Sequence, residues 1–169
     1  FEITMVDLTT DGGIDEKDFM DRARLLGSLG ETVLITNFKE YYKLVEYFSL
    51  YTKKKIGLTM GVNNLVRIFD PKYYTHLSGG ILEAFGKLFF KNMRIYLYPM
   101  LNEKDEIINS DNLKVHPRMK ELYKFLKFNG KVVDLNKYNL KSLKIYSHEV
   151  LSQIKENSKG WESLLPKAV

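Results

Sequence analysis

The feature that most constrains this chain is a regular alternation of short apolar runs with segments of helical periodicity. Apolar and β-branched runs typical of strands occupy residues 2–9, 33–36, 56–60, 93–98, 132–135 and 143–146. Between them, apolar residues recur every three or four positions, as on the first predicted helix, which ends at Gly30. Strands that alternate with helices favour a parallel sheet with right-handed crossovers. We therefore predict an α/β fold with three layers, a mostly parallel sheet with helices on both faces.

Polar residues and prolines mark the predicted boundaries of these elements. Asp15, Asn37 and Asn63 each precede a helical pattern and are candidate N-caps. Pro117 stands where a first helical turn tolerates proline. Residues 107–108 form a brief β-branched pair after a polar turn, which predicts a short β excursion.

Length and composition fit one globular domain. The chain has 169 residues, of which 44% are hydrophobic and 28% charged, so it is long enough to bury a core. It has no cysteine, which excludes disulfides, cysteine-ligated zinc, iron–sulfur clusters and thiol nucleophiles. No apolar run is long enough to span a bilayer. We predict a single cytoplasmic α/β domain over residues 1–169 with no membrane partner, and, because the chain opens on Phe1, the C-terminal fragment of a longer protein.

The net charge of +5 arises largely in the C-terminal half, where lysines outnumber acids between residues 114 and 131. Such a surface attracts anionic partners in general. The stacking aromatics of a single-strand reader are not patterned around these lysines, which argues against nucleic-acid binding. The sequence predicts neither an oligomeric state nor a resident cofactor.

Candidate site residues lie in the loops that follow the predicted strands. In an open parallel sheet, ligands bind beyond the carboxyl ends of the strands. The candidate ligand-binding residues there are Thr9, Thr10, Asp11, Thr36, Asn37, Gly61 and Asn63. Hydroxyls, amides and glycines at such positions suit a small phosphorylated molecule or a nucleotide.

The first two of these loops resemble the opening motifs of the haloacid-dehalogenase-like phosphohydrolases. Asp7 ends the first predicted strand, and residues 33–37 end in the threonine and asparagine that the second motif of that family carries. The resemblance implies an HAD-like variant of the Rossmann-like fold, with Asp7 as the phosphoryl acceptor, Thr36 on the phosphate and Mg²⁺ as cofactor. Thr9 stands where that family has its acid/base aspartate. After the later strands, Asp134 is a lone candidate for a metal carboxylate.

Longer stretches resemble the C-terminal part of a family of bacterial proteins. These stretches are residues 24–30, 32–42, 51–58 and 79–86. Members often carry the automatic names nicotinate-nucleotide adenylyltransferase or TonB-dependent receptor. Neither activity fits the residues, since the histidines of this chain lack the paired spacing of the first, and the alternating barrel strands of the second are not present. The resemblance implies a bacterial origin and an N-terminal part of the same protein as a partner.

Two functions follow as hypotheses. The first is a non-catalytic binding or interaction domain of a larger cytosolic bacterial protein, holding a phosphorylated small molecule or nucleotide at the carboxyl ends of the strands. The second is a dehalogenase-like phosphohydrolase or phosphotransferase that uses Asp7 and Mg²⁺. The missing second carboxylate beside Asp7 favours the first.

Overall fold

A computed structural model describes residues 1–5, 9–10, 13–14, 16–90 and 92–166. The chain divides into two compact units, one of Phe1–Leu44 with Ser147–Val169 and one of Val45–Tyr146. Both units mix helices with strands, and both contain parallel strand pairs. The predicted α/β class with parallel pairing is therefore confirmed. The three-layer, Rossmann-like or HAD-like arrangement and the single domain over residues 1–169 stay predictions.

The strands are β1 (Glu2–Thr4), β2 (Thr9–Thr10), β3 (Gly13–Ile14), β4 (Leu34–Thr36), β5 (Ile56–Gly61), β6 (Met93–Tyr98), β7 (Met100–Leu101), β8 (Ile107–Ile108) and β9 (Val132–Asp134). The α-helices are α1 (Glu16–Ser28), α2 (Tyr41–Tyr51), α3 (Val62–Ile68), α4 (Gly80–Leu88), α5 (Lys120–Phe128) and α6 (Ser147–Lys155). Short 3₁₀ turns occupy Pro71–Tyr74, Pro117–Met119, Ser142–Lys144 and Trp161–Leu164.

The first unit holds two strand pairs. Strand β1 runs parallel to β4, with Thr4 opposite Thr36. Strand β2 pairs antiparallel with β3 in a small hairpin. The predicted strand over residues 2–9 is thus represented by β1 and by the separate β2, while residues 6–8 between them lie outside the described part of the chain.

The second unit is built on a parallel sheet in the order β5-β6-β9. Along β6, Met93, Ile95 and Leu97 are fully buried, while Arg94 is exposed. The buried side faces an aromatic cluster, in which the ring of Phe69 lies 4.8 Å from that of Phe85. Such T-shaped pairs stabilise a core beyond their buried area.

The order of these strands explains why their helices share one face. The chain moves from β5 to β6 and on to β9 without reversing direction across the sheet. Right-handed crossovers in one direction place all connecting helices on the same side. Helices α3, α4 and α5 belong to these crossovers, and Phe69, Phe85 and Tyr123 from this side meet in one cluster. The other face of the sheet keeps exposed residues.

Several sequence predictions hold in detail. Strands β5, β6 and β9 lie where the apolar runs place them, and β8 forms the expected short β excursion by pairing with β7. Gly30, beyond the end of α1, has a φ of 80°, the left-handed conformation expected of a helix stop. No helix in the described ranges is both long and apolar enough to cross a lipid bilayer.

Other boundaries were predicted wrongly. Residues 143–146 form no strand, because a 3₁₀ turn over Ser142–Lys144 uses their backbone groups and Tyr146 donates its hydroxyl to Leu101 O over 3.3 Å. Asn37 is not a cap, since α2 begins only at Tyr41. The N-cap of α3 is Gly61, which places Asn63 inside the helix. The candidate cap Asp15 lies outside the described residues.

Candidate ligand-binding site

Part of the predicted site falls on residues that the structure does not describe. The proposed nucleophile Asp7 and the neighbouring Asp11 fall outside the described residues. Thr9 and Thr10 form β2, which pairs with β3 and does not continue the parallel strand β1. Their roles stay predictions.

Thr36 lies at the carboxyl end of β4, as predicted, but its hydroxyl already forms hydrogen bonds within the protein. It is 8% exposed, and it donates to the carboxylate of Glu2 on the neighbouring strand. The same oxygen accepts the backbone N–H of Phe38 over 3.3 Å. Thr4, opposite Thr36, donates its hydroxyl to Phe38 O over 2.8 Å. A phosphate at Thr36 would be repelled by the negative charge of the Glu2 carboxylate. The hydrogen bonds at this strand end hold the loop at Asn37 in place and do not favour the binding of an anion.

In the second unit, Gly61 and Asn63 come together at the carboxyl end of β5. The backbone of Gly61 passes directly into α3, and the side chains of Asn63 and Asn64 are exposed on the first turn of that helix. These two amides offer donors and acceptors at the edge of the sheet. This part of the predicted site is accessible to a ligand.

Asp134, the lone candidate for a metal carboxylate, is committed to the fold. Its two oxygens accept the backbone N–H of Ser110 over 2.9 Å and the Ser110 hydroxyl over 2.6 Å. Tyr123 donates its hydroxyl to Ser110 O over 2.7 Å. Burial raises the pKa of Tyr123, and the negative charge of Asp134 raises it further. Among the described residues, no group of three histidines and carboxylates could hold a metal ion.

The exposed face of the three-stranded sheet is not among the sites predicted from the sequence. On the central strand, Arg94, Tyr96 and Tyr98 alternate with the buried residues and therefore share this face. The guanidinium of Arg94 is exposed, and it has no acidic partner in the described ranges. Tyr96 and Tyr98 are half-buried.

The neighbouring strand makes room beside these tyrosines. On the same face, β5 presents Gly57, Thr59 and Gly61, which lie opposite Arg94, Tyr96 and Tyr98. A Cβ atom on Gly57 would stand 2.8 Å from Cε2 of Tyr96, so the ring leans over this glycine. The Tyr96 ring therefore covers Gly57, whereas a Cβ atom on Gly61 would meet no atom within 4 Å. The open part of β5 is the shallow trough at Thr59 and Gly61, bordered by the two tyrosines. We call this surface, the face of residues 57, 59, 61, 94, 96 and 98, the open face.

A further aromatic side chain extends the open face at its carboxyl end. The ring of Tyr138, in the loop after β9, lies 6.3 Å from that of Tyr98 in an edge-to-face arrangement. A strand rises about 3.3 Å per residue, so Arg94 and Tyr98, four residues apart, are separated by about 13 Å along β6. The open face therefore carries a positive charge near one end and aromatic rings at the other.

One signal in the sequence could have revealed this surface. Residues 93–98 alternate strictly between Met, Ile or Leu and Arg or Tyr, which is the period-two pattern of a strand with one covered face.

We find no match for the chain among protein-family models, among curated proteins or among solved structures. The geometry of the open face and of the strand ends therefore carries the functional argument by itself.

Proposed function

We propose that this chain is a non-catalytic binding domain of a larger cytosolic bacterial protein and that it holds a phosphorylated aromatic small molecule, of the nucleotide class, on the open face. The observation that carries the proposal is the row of Arg94, Tyr96 and Tyr98 beside the trough of β5. Planar ligands stack on aromatic rings, and phosphates pair with arginine.

The trough supports the aromatic part of this proposal. Thr59, opposite Tyr96, is the one β5 residue of this face with a side chain, so a planar group can approach Tyr98 over Gly61 with no β5 side chain in its way. The Thr59 hydroxyl, which lies on the open face, can donate to or accept from the polar edge of a base. A ring that enters here would bury the half-exposed faces of Tyr96 and Tyr98.

The charge supports the phosphate part. The fork of Arg94 suits the bidentate binding of a phosphate oxygen pair. Because the separation of Arg94 from Tyr98 is comparable to the length of a nucleotide, one ligand could engage both ends. Gly61 belongs to the open face at the carboxyl end of β5, so this part of the strand-end prediction is included in the same proposal.

The dehalogenase-like alternative rests on Asp7 and on Mg²⁺. No described contact favours it, and the hydrogen bond from Thr36 to Glu2 speaks against a phosphate at that strand end. The finer fold assignment, an HAD-like or Rossmann-like three-layer sheet, stays a proposal for the chain under either function.

A thermal-shift screen tests the proposed function. The chain would be heated with nucleotides, sugar phosphates and inorganic phosphate, each with and without Mg²⁺. A ligand present at about 100 times its Kd adds about 2.7 kcal/mol to the free energy of unfolding, which raises Tm measurably. We expect nucleotides to raise Tm without Mg²⁺ and inorganic phosphate to have little effect.

Matched variants tie the result to the open face. Arg94→Gln and Tyr96→Ala should abolish the rise, while Arg118→Gln and Tyr73→Ala, which alter exposed side chains elsewhere in the second unit, should retain it. A flat screen would refute ligand binding. A rise that requires Mg²⁺ and disappears in Asp7→Asn would establish the phosphotransfer alternative instead.

A further inference from the structure

The opposite, amino-terminal edge of the same sheet carries a second surface. Each of its strands is preceded by a connection that exposes an aromatic side chain. Tyr51 before β5 is 73% exposed, Phe90 before β6 is 50% exposed and Phe128 before β9 is 92% exposed. Because β5, β6 and β9 are neighbours and run parallel, these three connections lie at one edge. Large aromatics exposed together on a protein surface mark an interaction site.

A cleft opens between two of these connections. We call its three apolar lining residues, Ile56, Phe90 and Met93, the floor. The other lining residues, which we call the rim, are Ser49, Thr52, Lys53, Lys54 and Asn92. The cavity volume is about 80 Å³. That is smaller than the cavity of about 150 Å³ that accommodates benzene in an engineered protein, so one aliphatic side chain fits this space better than a nucleobase does.

The charge around the cleft is positive and not neutralised. The ammonium groups of Lys53 and Lys54 form no ion pair with any described residue. The local backbone is held in place, since Thr52 N–H donates to Phe48 O over 3.0 Å and Lys54 N–H donates to the Thr52 hydroxyl over 3.1 Å. Lysine after a helix complements the dipole of that helix. Here two lysines also line a cleft with an apolar floor.

We propose that this cleft docks an acidic protein segment that inserts one aliphatic side chain over Ile56 and Phe90 and sets carboxylates against Lys53 and Lys54. An apolar anchor in a pocket, flanked by complementary charge, is the usual form of a protein–protein hot spot. The exposed rings of Tyr51 and Phe128 on either side would be covered by the flanking parts of the segment. This surface is separate from the open face and does not depend on nucleotide binding.

The size of the cleft separates this partner from other anionic ones. A lipid surface or a single-stranded nucleic acid would use the exposed rings and the lysines but would leave the apolar floor empty. A polypeptide with an aliphatic side chain next to its acidic groups satisfies the floor and the rim together. Lipid and nucleic acid are therefore the contrary outcomes of the test.

The test is an amide-shift titration of the ¹⁵N-labelled chain with a synthetic peptide of nine residues, a central leucine flanked by glutamates. We expect shifts at residues 52–57 and at Asn92, with a Kd of about 1 mM or lower. A peptide with glutamine in place of every glutamate should bind at least about tenfold more weakly. The double variant Lys53→Glu and Lys54→Glu should lose binding of the acidic peptide to the same extent.

A second double variant with the same change of charge tests whether any loss of binding is specific to the cleft. Lys137→Glu with Lys141→Glu makes the same charge change in the loop after β9, at the other edge of the sheet, and should leave peptide binding unchanged. Unaltered Tm in both double variants would show that the fold is intact. Absence of shifts, equal shifts with the glutamine peptide, or larger shifts at the same amides with phosphatidylglycerol vesicles or a thymidine oligonucleotide would overturn the proposal.

Discussion

The carboxylate of Asp134 accepts both hydrogen bonds that Ser110 can donate, one from the backbone over 2.9 Å and one from the hydroxyl over 2.6 Å. Ser110 is buried, and it precedes Asp134 by 24 residues. Tyr123 completes the group by donating to Ser110 O. The loop before α5 is thus tied to the carboxyl end of β9, and an aspartate that the sequence offered as a metal ligand serves as a structural anchor.

The variant Asp134→Asn tests this anchor. An amide supplies one acceptor oxygen in place of two and turns an NH₂ group toward a Ser110 donor, so one buried donor loses its partner. We expect the free energy of unfolding to fall by about 1–3 kcal/mol, measured by urea denaturation. Asp105→Asn, which alters only the exposed ion pair with Lys144, should cost under about 1 kcal/mol. Equal losses in the two variants would contradict the anchor.

Tyr123 should make the stability of the chain fall at alkaline pH. Burial and the Asp134 charge raise its pKa in the folded state above the unfolded value of about 10. Because the pKa is raised on folding, the neutral tyrosine makes its full contribution to the free energy of unfolding below about pH 10. That contribution is lost as the pH rises toward the folded-state pKa.

Urea denaturation at about pH 8 and at about pH 11 measures this effect. The wild type should lose more stability between the two pH values than Tyr123→Phe, because phenylalanine has no proton to lose. Tyr73→Phe, at an exposed tyrosine, should follow the wild type. If the free energies of unfolding of the wild type and of Tyr123→Phe differ by the same amount at both pH values, Tyr123 does not titrate as proposed.

Gly57 and Tyr96 should be energetically coupled. In the wild type, Gly57→Ala places a Cβ 2.8 Å from the Tyr96 ring and forces it to move, so we expect a loss of about 1–3 kcal/mol. In a Tyr96→Ala background the same change meets open space, and the lower entropy of alanine in the unfolded chain should make it neutral or stabilising. A double-mutant cycle by urea denaturation measures the coupling, and additive effects would contradict it.

The sequence was sufficient to predict the parts of the fold with a strong apolar signal. Strands β5, β6 and β9 and helices α4 and α5 lie where the periodicity places them, because each buries a continuous apolar face. Residues 143–146 were misassigned for a physical reason. Their apolar side chains can be buried equally well in a strand or in a turn. The local 3₁₀ hydrogen bonds favour the turn.

The candidate site was less predictable than the fold. Gly61 and Asn63 could be placed at a strand end from the sequence. The hydrogen bond from Thr36 to Glu2, which are 34 residues apart, depends on the register of β1 against β4, and no local pattern encodes that register. The open face depends on the strand order β5-β6-β9, since that order places the helices on one side. Strand order is a property of the tertiary fold.

Thr36 should contribute to stability and not to phosphate binding. Thr36→Val leaves the Glu2 carboxylate and the Phe38 N–H without their shared partner, so we expect a loss of about 1–2 kcal/mol in urea denaturation. Thr59→Val, at an exposed strand position, should be nearly neutral. Millimolar phosphate should change the Tm of the wild type and of Thr36→Val equally. A phosphate-induced rise in the wild type alone would restore the dehalogenase-like reading.

The most direct test of the account is an amide-shift titration of the ¹⁵N-labelled chain with AMP, with adenosine and inorganic phosphate as separate arms. The account predicts AMP-induced shifts along residues 56–61 and 93–98, weaker shifts with adenosine, and loss of the AMP advantage over adenosine in Arg94→Gln. Shifts confined to residues 36–38, or none at millimolar AMP, would contradict it.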